Sequence, residues 1–133
     1  MRRKLIACSA AALGLLCTLH AFAHHSFSAE FDIKKPITMT GTVTSVEWQN
    51  PHTWFYLDVK DDGGNVTNWG MELASPNLLI RNGWSRSTLK AGDDVTVEGY
   101  AAKNGKNIGN ARTILIKATG QRLVAGSSAG STP

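Results

Sequence analysis

The chain has 133 residues, a formal net charge of +4 at pH 7 and two cysteines, a length that suits one domain. Both cysteines, Cys8 and Cys17, lie in an N-terminal segment with three basic residues, so the rest of the chain can hold neither a disulfide nor a thiolate metal site. Without that segment the 14 basic residues fall by three against 10 acidic ones, which leaves a net charge of +1. We therefore expect no nucleic-acid partner, because phosphate neutralisation supplies most of that affinity.

The N-terminal segment has the three parts of a secretory signal peptide. A basic start, residues 2–4, is followed by an uncharged apolar stretch to Leu19 and by the small-residue exit Ala21-Phe22-Ala23. The apolar stretch is shorter than the roughly 20 residues that span a bilayer. A lipoprotein anchor on Cys17 is disfavoured by the leucines before it. The sequence predicts a signal peptide over residues 1–23, a periplasmic or secreted protein, and no transmembrane anchor after cleavage.

The body begins with a strand whose alternation changes phase. Residues 24–35 are expected to form an N-terminal arm, with Phe27 and Phe31 docked on the body. From residue 37 to 48 apolar and polar residues alternate, but the apolar positions move from Val43 to Val46 and Trp48. A change of parity indicates one extra residue in the strand, so a bulge is predicted near residues 44–45.

Four further strands and one short helix follow. The second strand, 52–60, places Thr53, Phe55 and Leu57 on one face and His52, Trp54 and Tyr56 on the other. Residues 61–65 form a hairpin turn, and the third strand is 66–73. Ser75-Pro76 is typical of a helix start, and the helix is predicted over 77–82. The last two strands are predicted at 94–100 and 111–118.

Five strands with one short helix between strands 3 and 4 predict an all-β fold, a small OB-like barrel. An open β-sandwich is the alternative with the same strand count. The predicted barrel domain covers residues 36–123. Residues 124–133 are small and polar, and a disordered tail is predicted there.

Six short motifs resemble a family of small exported bacterial proteins of unknown function. The resemblance covers essentially the whole mature chain. It implies no activity, and fold similarity alone does not supply one. The motifs are His24-His25-Ser26-Phe27, Thr40-Gly41-Thr42-Val43, Trp48-Gln49-Asn50-Pro51-His52, Glu72-Leu73, Pro76-Asn77 and Gly99-Tyr100.

Cleavage after Ala23 would make His24 the first residue of the mature protein. Its α-amine and ring Nδ1 could then chelate one metal ion, and a further imidazole would complete a three-nitrogen set that suits Cu(II). His52 is the predicted third ligand if the arm folds back over the second strand, and His25 is its substitute. The alternative is that the histidines of the arm are solvated and bind no metal.

The outer face of the second strand offers a different kind of site. Trp54 and Tyr56 could stack against a small molecule, a glycan or an envelope protein without any metal, or Trp54 could be covered by the arm. No nucleophile elbow, phosphate loop or His-Glu-x-x-His motif occurs in the sequence. We therefore predict a non-catalytic exported binding module, with copper or the aromatic face as the two candidate functions.

Overall fold

The computed structural model describes residues 27–126. Within that range six strands and two short helices form, and none of these helices is long and apolar enough to cross a membrane. The predicted signal peptide and the residues from 127 onward lie outside the described range. The elements in chain order are α1 (Phe27–Glu30), β1 (Phe31–Glu47), β2 (Trp54–Lys60), β3 (Val66–Glu72), α2 (Pro76–Arg81), β4 (Asp94–Ala102), β5 (Ile108–Ile116) and β6 (Gln121–Val124).

All six strands belong to one sheet with the order β3-β2-β1-β4-β5-β6, and neighbours in this order are antiparallel. In addition, β3 pairs with β5 in parallel, with Gly70 opposite Ile108 and Glu72 opposite Asn110. The all-β class is thus confirmed, and so is the single short helix between strands 3 and 4. The described residues contain one strand more than the five predicted.

The long first strand bends between its two partners. It pairs with β2 through its second half and with β4 through its first half, and its register with β2 shifts between Val43 and Ser45. The bulge predicted from the change of parity is therefore confirmed. Gly41 is needed just before it, because a Cβ there would lie 2.4 Å from the carbonyl oxygen of Asp58.

The core lies on the inner face that the alternation of β2 predicts. Thr53, Phe55 and Leu57 are fully buried, whereas Trp54 and Tyr56 on the opposite face are half-buried. Helix α2 begins at Ser75, whose hydroxyl accepts a hydrogen bond from the Leu78 amide. The other buried apolar side chains of the core, from strands, helix α2 and loops, include Val43, Met71, Leu73, Leu79, Trp84, Leu89, Val95, Val97, Ala111, Ile114, Ile116 and Leu123.

Both ends of the body differ from the predicted boundaries. Residues 31–35, assigned to the arm, continue β1, and Phe31 is only 3% exposed. At the other end the boundary predicted after residue 123 falls inside β6, and Ala125 is fully buried. The turn over residues 117–120 returns the chain along β5, which lets Leu123 reach the core. Of the predicted tail, only residues 124–126 are described.

Candidate functional site

His52 lies beside a buried carboxylate at the start of β2. Its Nδ1 is 3.2 Å from the carbonyl oxygen of Leu73 and 3.6 Å from Oε1 of Glu72. The backbone places it there, because the Leu73 amide donates to the carbonyl of Thr53 at 2.8 Å. A ring nitrogen that hydrogen-bonds to a carbonyl oxygen must donate, so Nδ1 carries a proton, and the neutral form of this tautomer has its lone pair on Nε2.

Glu72 is the most buried carboxylate of this region, at 8% exposure. Its Oε1 accepts a hydrogen bond of 3.3 Å from Nδ2 of Asn110, which is itself only 3% exposed. Burial raises the pKa of Glu72, and the charge of Glu30 raises it further, while His52 and the Asn110 bond act in the opposite direction. We call His52, Glu72 and Asn110 the His52 cluster.

The N-terminal arm lies next to the His52 cluster. The ring of Phe27 stacks on Phe31 at 5.5 Å and meets Tyr100 edge-on at 5.9 Å. Tyr100 is paired with Asn110 across β4 and β5. Lys103 holds the arm by two hydrogen bonds: its backbone N–H donates to the Glu30 carbonyl at 2.9 Å, and its Nζ donates to the Ser28 carbonyl at 2.6 Å. The prediction that Phe27 and Phe31 dock on the body is confirmed.

Two of the three predicted metal ligands, His24 and His25, lie outside the described residues. Within residues 27–126, no group of three or more His, Cys, Asp or Glu side chains is placed to hold a metal ion. A copper site of the predicted composition would combine His52 with the residues just before Phe27.

Trp54 and Tyr56 line an open cleft of about 330 Å³ next to the His52 cluster. The cleft depends on Gly70, because a Cβ there would lie 3.2 Å from the Tyr56 ring and 3.8 Å from the ring of Trp54. We call this pocket the Trp54 cleft. Its other lining residues are Gln49, Asn68, Asn107 and Ile108.

The polar groups of the Trp54 cleft are held by their neighbours. Asn68 donates through Nδ2 to Oδ1 of Asp58 at 2.8 Å. The Gly70 amide donates to the carbonyl of Asn107 at 3.0 Å, which fixes the loop before β5 against β3. Burial raises the pKa of Tyr56, and the Glu47 carboxylate raises it further by its charge and by a hydrogen bond.

Several site residues were not predicted from the sequence. Asn110 lies in the part of β5 that precedes the predicted strand, and its contact with Glu72 comes from the parallel pairing of β3 with β5. Glu72 and Gly70 share the outer face of β3 by alternation with Met71, a signal that was available. Asn107 follows a polar loop and carries no pattern of its own.

Residues 13–111, more than half of the chain, match a protein family described as a family of unknown function, DUF6152. This confirms the predicted resemblance to a family of unknown function. No curated protein matches the chain at a significant level. The chain is a member of the DUF6152 family.

Proposed function

We propose that this protein is an exported, non-catalytic binding module that holds Cu(II) between its mature N-terminus and the His52 cluster. The N-terminal amine and ring of His24 supply two nitrogens, and His52 supplies the third. His25 is the substitute for His52. The observation that carries the proposal is the orientation of His52, whose Nδ1 faces the Leu73 carbonyl. In that tautomer of the neutral ring, Nε2 is the nitrogen that can bind a metal.

The orientation of His52 is the one that metal-binding histidines use. Such a histidine donates its second ring N–H to a backbone carbonyl or a carboxylate, which fixes the ring and its tautomer. His52 has both kinds of acceptor at hand, the Leu73 carbonyl at 3.2 Å and Glu72 at 3.6 Å. A histidine that only caps a turn would need neither the buried carboxylate nor its partner Asn110.

The position of the arm supports the second half of the site. Phe27 contacts Tyr100, Tyr100 is paired with Asn110, and Asn110 is bonded to Glu72 of the cluster. His24 lies three positions before Phe27 in the chain, and an extended chain advances about 3.3–3.6 Å per residue. The backbone of His24 can therefore lie up to about 10 Å from Phe27, and the His24 side chain extends this reach further.

The body fits an OB-like barrel, which forms part of the proposal. An OB barrel requires β1 to pair with β2 and β4, β5 to pair with β4, and β3 to meet β5. Those pairings are all present, including the parallel one that joins Met71 to Gly109. Closure of this barrel would remove free strand edges and so protect the chain from edge-to-edge pairing with other copies.

Export is the condition for this site, because only cleavage after Ala23 gives His24 a free amine. The mass of the protein recovered from the periplasm tests that step directly. A mass that corresponds to a chain beginning at His24 supports the site. A chain that begins at any other residue would lack the terminal chelate, and the copper proposal would fail with it.

The test of copper binding is a titration with Cu(II), followed by EPR, on four metal-free proteins. These are the cleaved protein, a form with one glycine added before His24, and the variants His52→Ala and His25→Ala. The glycine separates the amine from the ring and should weaken binding strongly. His52→Ala should weaken it less, because His25 can replace the third ligand, and His25→Ala should change it little.

The pH dependence gives a second readout of the same ligands. The α-amine and imidazole have unperturbed pKa values of roughly 7.7–8.0 and 6.5, so protons compete for both ligands below neutral pH. Affinity should fall from neutral pH toward about 5. Equal affinity of the cleaved and glycine-extended proteins would show that the terminus is not a ligand. Gln121→Ala, a change on exposed β6, is the matched control.

A further inference from the structure

The Trp54 cleft combines aromatic rings with uncharged amides. Its volume of about 330 Å³ lies at the lower end of small-molecule sites, which run from about 300 to 1,000 Å³. Two rings, Trp54 and Tyr56, stand on the same face of β2. Gly70, on the neighbouring strand β3, lies opposite Tyr56. The two aromatic rings suit a ligand that presents a face of C–H groups.

The polar lining selects the chemistry of the ligand. Three carboxamides, Gln49, Asn68 and Asn107, contribute both donors and acceptors, and no lining side chain carries a charge. The Asn68 nitrogen already donates to Asp58, so the Asn68 oxygen is the group that can accept a hydrogen bond from a ligand. Amides of this kind pair with hydroxyl groups, which also donate and accept.

The charges near the Trp54 cleft are committed to protein partners. Glu47 accepts a hydrogen bond from Tyr56, and Asp58 accepts one from Asn68. An anionic ligand would be repelled by these two carboxylates. A neutral polyhydroxyl ring satisfies the amides without requiring either charge.

We infer that the Trp54 cleft binds a sugar ring of a neutral saccharide, with Trp54 as the stacking platform and the three amides as partners of its hydroxyls. The inference is independent of the copper proposal, because none of the cleft-lining residues is a proposed metal ligand. An open site with one principal aromatic platform gives weak binding, in the millimolar range, because little of the ligand is buried.

The test uses the cleaved, metal-free protein and three neutral disaccharides: cellobiose, lactose and N,N′-diacetylchitobiose. Nitrogen-15 NMR spectra are recorded during each titration. We expect at least one disaccharide to shift the indole N–H of Trp54 and the amides of Gly70 and Asn107. Signals from the turn 117–120, which lies outside the cleft, should stay in place.

The variants separate stacking from polar contacts. Trp54→Ala should weaken binding about tenfold or more, since stacking on one aromatic ring is worth that much in comparable sites. Trp54→Phe keeps a ring and should retain most of the affinity. Asn107→Ala should weaken binding several-fold, whereas Gln121→Ala, its exposed control, should not. The spectrum of each unliganded variant shows whether it is folded.

Three results would overturn the inference. The first is that none of the three disaccharides shifts the Trp54 signal. The second is that binding survives Trp54→Ala in a folded protein. The third is that a trilysine peptide shifts these signals and the sugars do not, which would assign the cleft to a cation. His52→Ala should leave saccharide binding unchanged, so failure of the copper proposal is distinguishable from failure here.

Discussion

The outer face of β2 presents two different environments within five residues. At one end His52 meets a carboxylate that is 8% exposed and lies beside the anchored arm. At the other end Trp54 and Tyr56 border an open cleft lined by uncharged amides. The difference shows that side chains from the neighbouring strands set the chemical character of each end of this face. A half-exposed histidine beside a buried carboxylate would suit a cation, and an open cleft lined by uncharged amides would suit a neutral ring.

The largest expected effect concerns Phe31, which packs beneath the arm next to the His52 cluster. Phe31→Ala should lower the free energy of unfolding by about 3–5 kcal/mol, because Phe31 is 3% exposed and its loss leaves a cavity under the arm. Urea denaturation measures the change. Ile33→Ala in the same strand is the control, since Ile33 is 64% exposed. A loss below about 1 kcal/mol for Phe31→Ala would mean that the arm is only a tether.

The next effect compares carboxylates at the two ends. Glu72→Ala should cost about 1–3 kcal/mol of unfolding free energy, because the buried Asn110 amide loses its acceptor. Glu47→Ala beside the cleft should cost about 0.5 kcal/mol or less, since Glu47 is exposed. Chemical denaturation of both variants at one pH tests the contrast. Equal losses of unfolding free energy for Glu72→Ala and Glu47→Ala would contradict the distinction between a buried carboxylate at the His52 end and an exposed one beside the cleft.

A smaller effect is expected from the aromatic platform itself. Trp54→Ala should lower the free energy of unfolding by about 1–2 kcal/mol, because a half-buried side chain loses part of its transfer free energy. Phe55→Ala, the adjacent residue on the inner face, is the comparison and should cost about 3–5 kcal/mol. Thermal unfolding of the Trp54→Ala and Phe55→Ala variants measures both losses of free energy. A Trp54 cost as large as that of Phe55 would make Trp54 a core residue.

The smallest effect is electrostatic and belongs to the cleft. The pKa of Tyr56 is raised, so the folded state holds the phenolic proton more tightly than the unfolded state. Stability is therefore lost as pH rises above the ordinary tyrosine pKa, near 10. Glu47→Gln should lower the pKa of Tyr56 and reduce this alkaline loss. Ultraviolet titration of tyrosinate absorbance tests it, and an unchanged pKa would show that burial alone sets it.

The sequence predicted the features that alternation encodes. The two faces of β2 and the bulge between Val43 and Ser45 follow from a period of two and from its change of phase. The helix start at Ser75-Pro76 follows from local capping chemistry. These features depend on neighbours in the chain, and the order of residue types records them directly.

The features that the sequence did not predict are non-local. The first residues of β5, Ile108–Asn110, follow a polar loop and contain a glycine, and they become a strand by pairing with β3. Short β6 is stabilised by its pairing with β5 and by burial of Leu123. The contact between Glu72 and Asn110 joins positions 38 residues apart, and no periodic pattern encodes it.

The central claim is that the His52 end of this face binds a metal ion together with the mature N-terminus. The most direct measurement is the nitrogen-15 spectrum of the cleaved protein with substoichiometric Cu(II), whose unpaired electron broadens nearby signals. We predict that signals of Phe27, His52 and Leu73 disappear first, while those of the hairpin turn 61–65 remain. Uniform broadening, or the same pattern in the glycine-extended protein, would contradict the account.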